Sequence, residues 1–399
     1  MPAPPYSPTP RVPSAPITGL REDQTYNAQR IVLDLTDKIH WVQPSAAPFV
    51  ALSQKLRGSR TVENWTFWLL EKPKYPDYVT LAAGGDGNLT LTLIAGEGNR
   101  IPANMILRNV RTGELVSATT PAANTVIVTR AVDSTQIAMV GGDVLEFVGR
   151  AYADASLIGT IKSVAEVSVF NYCQIMRTPI GWSGRAVETA FYGGSDVTTE
   201  TQAQMIEHKR LMEKAYFWGP RFWEVAANGY IRSTFGGVDH FIKNNYVWNL
   251  AGNVPSEDDF YVYLEDAMRE GKGGYESSDG QKTLFMSARI GSSISKWARD
   301  KIQTETLDTV YGLKIRKLET PHGTINLVHS PALDEHNAGS AFLLDLNHIQ
   351  PVTFQNRGTK LLKDREPNDS DSRQYEIFSD ISLEVSIPEA HSKIIGWGV

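Results

Sequence analysis

Few side chains in this 399-residue chain are of the type and spacing that do covalent or metal chemistry. Its single cysteine, Cys173, lies in SVFNYCQIMRTPIGWSG between a tyrosine and a glutamine. A nucleophilic thiolate needs a neighbouring cation to lower its pKa, and none adjoins it, so a small buried strand side chain is the expected role. His322, His329 and His336 recur every seven residues, as a ligand series could. In strand and loop a seven-residue step changes face each time, and the three imidazoles should not converge. The chain lacks a His-Glu-x-x-His helix, a phosphate loop ending in Gly-Lys-Ser/Thr, and a Gly-x-Gly-x-x-Gly turn. GWSGR around Ser183 half resembles a nucleophile elbow, but its flanks suit a strand end. The acidic run Glu257–Asp259 reads as helix-start charge, and the glycine-rich 96–98 and 270–274 as turns. One cysteine makes neither an intrachain disulfide nor a multi-thiolate zinc site. The reading is a chain with no catalytic, cofactor-binding or metal-binding residues.

Nine tryptophans are many, and Trp218, Trp223 and Trp248 lie close in sequence. They could stack on sugars or bases, but alternation with core-forming residues favours packing or subunit contact. A formal charge of -6 argues against general nucleic-acid affinity, which needs clustered cations. Apolar runs stay well below the roughly 18 residues of a bilayer span, so no membrane is expected. The N-terminal MPAPPYSPTPRVPSAP places prolines where a secretory segment needs continuous apolar residues. It reads as an extended, solvated arm, with folding in the cytosol.

Local patterns predict the elements. After breaks at Pro44 and Pro48 and a stop at Gly58, TVENWTFWLLEKP sets Val62, Trp65, Phe67 and Leu69 among polar neighbours, as in an extended segment. From about residue 86 to 150, Leu89, Leu91 and Leu93 alternate with threonines, Thr112-Gly113 marks a reversal, and NTVIVTRAV and GGDVLEFVGR add further strands. Five or so short strands over about 60 residues imply a small barrel or sandwich. Extended segments flank it, which makes it a module inserted into a two-stranded excursion whose return is IKSVAEVSVFNYCQIMRTPIGWSG.

DVTTETQAQMIEHKRLMEKAYFWG is the strongest helix, with Thr198 as cap, Glu200 in the first turn and Gly219-Pro220 as its end. Met205, Met212 and Ala215 form its expected apolar stripe, and Lys209 with Glu213 an i,i+4 pair on the solvated side. A second helix follows Ser256, burying Phe260, Leu264, Ala267 and Met268, and a third carries Ile294, Trp297, Ala298 and Ile302. QKTLFMSARIG is read as a strand, 311–331 as a hairpin around Pro321 to Gly323, and 375–397 as one long strand continuing past Pro388. The body is α+β with no βαβ rhythm.

An arm, a β excursion, a long helix and an α+β body is the order of a shell protein. The stretches DKIHWVQPSAAPFVALSQKL, ENWTFWLLEKP, ANMILRNVRTGELVSATTPAANTVIVTRAVDSTQ, NYCQIMRTPIGWSG, IEHKRLMEKAYFWG, AFLLDLNHI and LEVSIPEAHSKIIGW, in that order, carry a resemblance. The chain resembles the tailed-bacteriophage major capsid proteins of the Johnson fold, in the branch with a small β-barrel inserted in the extended loop. That resemblance implies an N-terminal arm at 1–60 and an extended β-loop at 61–196 with its barrel at about 86–150. It implies a spine helix of the peripheral domain at 197–224, an axial domain at 225–340, and C-terminal strands at 341–399 completing the body.

The implied function is self-assembly into the hexamers and pentamers of an icosahedral phage head enclosing double-stranded DNA, with no enzymatic activity and no cofactor. The implied partners are further copies of the chain, with scaffolding, portal and decoration proteins. DNA would be enclosed without sequence-specific binding, and the protein would reside in the virion after assembly in the host cytoplasm. Subunit contacts are expected at Trp65, Trp68, Arg108, Glu114, Arg185 and Glu188. An encapsulin-type cargo shell would share the fold, whereas a tail or decoration protein would give rings or monomers. A glycan-active enzyme would need two carboxylates about 5 to 9.5 Å apart.

Overall fold

Alternating apolar residues and glycine turns build the first large unit, a closed six-stranded barrel. The computed structural model describes residues 47–398 apart from 73–74, 85–86, 88, 153, 155–162, 190–195, 243–246, 269–279, 299–315, 321–322 and 335. The arm up to residue 46, the glycine-rich 270–274, Ile302 and His322 therefore lie outside the described residues. Strands Tyr78–Ala83, Thr90–Leu93, Thr125–Thr129, Leu115–Pro121, Met105–Asn109 and Val144–Arg150 neighbour one another in that order and close on themselves. Val79, Leu81, Leu91, Leu107, Val116 and Val126 fill the interior.

The barrel starts at Tyr78 and not near residue 86, because Tyr78–Ala83 pairs with Val144–Arg150 and supplies the closing strand. Leu89, expected on the apolar face, precedes the strand and is exposed. Gly113 turns between strands with φ +76°, as Thr112-Gly113 predicted. A Cβ on Gly98 would lie 1.8 Å from the Ala122 carbonyl oxygen, so only glycine lets those two turns meet.

Flanking the barrel in sequence, Thr66–Glu71 and Val167–Tyr172 run antiparallel, from Thr66 opposite Tyr172 to Glu71 opposite Val167. The chain then enters Gln174–Ser183, which pairs along its length with the 14-residue strand Ser372–Val385. Cys173 sits at the step between these strands and not within one. Its amide donates to the Trp65 carbonyl at 2.7 Å, and its side chain packs with Val62, Phe67 and Val352. Burial pushes the thiol up to about 12, which leaves no thiolate at neutral pH.

The body has two sheets. In the first, Arg60–Val62, Ile349–Phe354, Ser372–Val385 and Gln174–Ser183 are neighbours, with Lys360–Leu362 also on the long strand. The second runs Val247–Asn249, Ser392–Ile395, Ala341–Leu344, Gln281–Met286, Gly323–His329, Arg316–Thr320. The last two form the expected hairpin. Gln281–Met286 and Gly323–His329 are parallel, with helix Ala288–Ala298 between them in sequence, so one crossover unit sits inside this α+β body.

The C-terminal segment is two strands in different sheets, not one strand continuing past Pro388. Ile387 adopts a positive φ of 48° and the turn Pro388–Ala390 carries the chain across. Helix Glu257–Met268 begins as predicted: Asp259 donates its amide to the Ser256 hydroxyl at 3.2 Å, and the Ser256 amide donates back to the Asp259 carboxylate at 3.1 Å. Phe260, Leu264, Ala267 and Met268 are buried, joined by Tyr263.

The long helix Asp196–Trp218 spans about 34 Å for its 23 residues. It starts two residues before Thr198, which therefore lies in the first turn and is not the cap. Met205 is over a third exposed; the buried positions include His208, Met212, Glu213, Tyr216 and Phe217. Phe217 stacks on Phe49 of helix Pro48–Arg57 at 4.9 Å and on Phe342 at 5.0 Å, which joins helix, N-terminal segment and second sheet in one core.

The Lys209–Glu213 surface pair does not form, since Glu213 is buried. Its carboxylate accepts the Ser330 hydroxyl at 2.6 Å and the Phe49 and Val50 amides at 3.1 and 3.4 Å. Ala47 and Pro48 open that helix without a side-chain cap, so Glu213 serves as the cap from a distance.

Candidate subunit interface

A two-stranded ribbon buries one face by alternation and offers the other. In Thr66–Glu71, Phe67 and Leu69 turn towards Phe241, Leu383 and Val385 of the body, beside Val169 of the ribbon's second strand. Trp68 and Leu70 turn away and are exposed, at 56% and 71%. Asn171 clips the ribbon down: its amide nitrogen donates to the Gly236 and Leu383 carbonyls at 3.0 and 2.7 Å, and its oxygen accepts the Gly236 amide at 2.8 Å.

The outward face is aromatic and continuous. Trp68 meets Phe170 at 4.9 Å, Phe170 meets Tyr172 at 5.6 Å, Tyr172 stacks on Trp65 at 5.1 Å, and Trp65 reaches Trp223 at 6.2 Å. The Arg221 guanidinium lies 4.1 Å from the Phe170 ring centre and donates to the Phe170 carbonyl at 2.9 Å. A cation over a ring face and edge-to-face rings hold this surface rigid. A rigid aromatic face with one fixed cation is suited to burying apolar area against another protein.

Of the six expected contact residues, the structure brings Trp65 and Trp68 together on this face. Arg108 is on the outer wall of the barrel, exposed and 3.6 Å from Glu146. Arg185 and Glu188 are exposed on the short helix Gly184–Glu188, whose start is capped by the Ser183 hydroxyl accepting the Ala186 amide at 3.3 Å. Glu114 is a correction. It is buried in the barrel, where Arg130 donates two hydrogen bonds of 2.7 Å and the Ala131 and Ile137 amides donate at 3.3 and 3.1 Å. Its charge is used inside the subunit.

Two polar residues fastening the long helix were missed from sequence. His208 bridges Thr178 at 2.8 Å and Ser379 at 2.7 Å, tying the helix to both long strands, and burial lowers its pKa. Glu213 is the second. Spacing held a signal: both lie on the same stripe as Met212 and Tyr216, yet polar residues are ordinarily assigned to the wet side. Trp223 was noted only as one of three neighbouring tryptophans, and its contact with Trp65 spans the fold.

His329 pairs with Asp334 at 2.6 Å. Among the described residues no group of three His, Cys, Asp or Glu comes together to hold a metal ion, and no helix is long and apolar enough to cross a membrane.

A family model described as SU10 major capsid protein matches residues 18–398. Among solved structures, the chain is similar to the capsid of a native GTA particle, with 10% identity and a TM-score of 0.51 over 96% of this chain and 100% of that one. The capsid of Myoviridae phage XM1 is 10% identical, with a TM-score of 0.47 over 92% and 99% of the two chains. The SrpI encapsulin of Synechococcus elongatus PCC 7942 is 11% identical, with a TM-score of 0.42 over 58% and 78%. At this identity the GTA likeness concerns the fold alone. No curated protein matches the chain.

Proposed function

The chain belongs to the family of SU10 major capsid proteins, and from that premise we propose that its copies form hexamers and pentamers that close an icosahedral head around double-stranded DNA. The observation that carries the reading is the aromatic face running from Trp68 to Trp223, exposed on a ribbon whose other face is already packed. Exposed, rigid apolar surface of this kind marks a site that a partner covers.

Such a shell needs no single strong contact. A millimolar interface is worth about 4 kcal/mol, but each subunit meets several neighbours, and contacts become effectively intramolecular once a ring closes. Under this reading 1–60 is an arm that overlaps neighbours, and 61–196 is the extended loop with its barrel. The stretch 197–224 is the spine helix of the peripheral domain, 225–340 surrounds the capsomer centre, and 341–399 completes the body. The protein resides in the virion after assembling in the host cytoplasm, and meets scaffolding, portal and decoration proteins there. The net charge of -6 supports enclosure of DNA without specific binding.

Negative-stain microscopy of the expressed protein tests the reading: closed, uniform shells are expected, and a monomer at every concentration would reject it. Mass spectrometry of purified particles separates a genome container from an encapsulin-type shell, which would carry a cargo enzyme. Trp65→Ala combined with Trp68→Ala is expected to leave the subunit folded by circular dichroism while shells dissociate at lower temperature. Unchanged heat stability of the shells would remove these two residues from the interface. Deleting residues 1–30 should impair assembly more than folding; particles of normal size and uniformity from that truncation would show the arm to be dispensable.

A further inference from the structure

Immediately after the long helix, Phe222–Val225 and Ile231–Thr234 form a two-stranded sheet, with no third strand among the described residues. The turn between them is closed by the Ala226 amide donating to the Tyr230 carbonyl at 2.9 Å, with Gly229 at φ +80°. In a strand, successive side chains alternate faces, so Phe222 and Trp223 point to opposite sides. Both are about half exposed, as is Ile231, while Val225 is 62% and Tyr230 75% exposed. Trp223 meets Trp65 on one side and the Ser233 hydroxyl donates to the Cys173 carbonyl at 2.6 Å, but Val225, Tyr230 and Ile231 each keep more than half of their surface in solvent, and a lone hairpin is marginally stable in water.

We infer that this hairpin is a docking element that a second copy of the chain covers, an inference that rests on the shell reading above. Three observations choose the occupant. The first is area: Trp223, Val225 and Ile231 share one face of the hairpin with Tyr230 at its turn, and these four leave roughly 450 Å² uncovered, already in the range of the largest apolar patch on a typical monomer. Adding the surface that continues from Trp223 through Trp65 to Trp68 brings the total near the ~800 Å² that each partner contributes to a stable interface.

The second is charge. Glu224 and Arg232 pair across the strands at 3.3 Å on the face opposite Trp223, Val225 and Ile231, which leaves the hairpin strands neutral and the apolar face free of charge, as suits a protein partner. Nucleic acid would demand an excess of cations, which the hairpin strands do not offer. The third is family: in a shell the partner of a subunit is another copy of itself, and closed rings arise when one patch meets a different patch on the next copy.

The test uses the buried Cys173, the only cysteine of the chain. Tyr230→Cys adds one accessible thiol. Its reaction with a maleimide should be at least about tenfold slower in assembled shells than in dissociated subunits. Equal rates in intact shells would overturn the docking role and leave the shell reading standing, whereas failure of the natural chain to form shells would sink that reading instead. As a second measurement, Val225→Ser with Ile231→Ser should retain the melting temperature of the free subunit and raise the concentration needed for assembly at least about tenfold. Assembly at the natural concentration would count against the proposal.

Discussion

Replacing Glu114 with alanine is expected to cost the barrel about 3–5 kcal/mol, enough to unfold it near physiological temperature. The substitution leaves the Arg130 guanidinium buried without its carboxylate, and strips the Ala131 and Ile137 amides of their acceptor. Burial opposes the Glu114 charge, but the hydrogen bonds from Arg130 and the Ile137 and Ala131 amides outweigh it and hold the group below the usual carboxylate range.

Because the uncompensated buried charge is the largest part of the loss, Glu114→Leu combined with Arg130→Met should cost less than either single change, the remainder coming from the two amides left without their acceptor. Thermal melts and limited proteolysis of the full chain provide the measurement. If Glu114→Ala melted like the natural protein and altered only assembly, Glu114 would be a contact residue after all, and the buried pair would carry no weight.

Glu213→Gln is expected to flatten the dependence of stability on pH between about 5 and 8. Burial pushes the Glu213 carboxyl up to about 7, against the opposing hydrogen bonds from Ser330 and from the Val50 and Phe49 amides. Between the ordinary value of 4.5 and about 7, the folded chain holds a proton that the unfolded chain has released. The stabilisation is therefore complete below pH 4.5 and is lost as pH rises through 7, by up to about 3 kcal/mol.

His391 acts in the opposite sense. Burial first, then the Lys282 and His348 charges, hold it neutral down to about 3, so acid removes stability as pH falls from 6.5 towards that value. The natural protein sums the two effects, which is why the comparison with Glu213→Gln is the informative one. Urea titrations should show the natural chain losing roughly 2–3 kcal/mol relative to Glu213→Gln between pH 5 and pH 8. A difference that stayed constant across that range would mean that Glu213 is not the titrating group.

Both residues show where reading the chain succeeds and where it stops. Lys209 and Glu213 satisfy the i,i+4 rule for a surface pair, and the rule failed because the Phe49 and Val50 amides, 164 and 163 residues away in sequence, needed an acceptor. Glu114 is expected at a subunit contact, yet Arg130, 16 residues on, folds over it inside the barrel. By contrast, Ser256 with Asp259 and the turn at Gly113 were readable because each is complete within a few residues.

The amino-acid order by itself determined the elements whose signals are local: the barrel strands after residue 90, the helices that begin near Asp196 and Ser256, and the β-excursion, helix and α+β body on which the capsid resemblance rests. Only the tertiary structure decided that Tyr78–Ala83 closes the barrel, that the chain changes sheet at Ile387, and that Glu114 and Glu213 are buried. Turn chemistry and apolar period act between residues a few positions apart, whereas strand closure and the burial of a charge depend on partners that only the folded chain brings near.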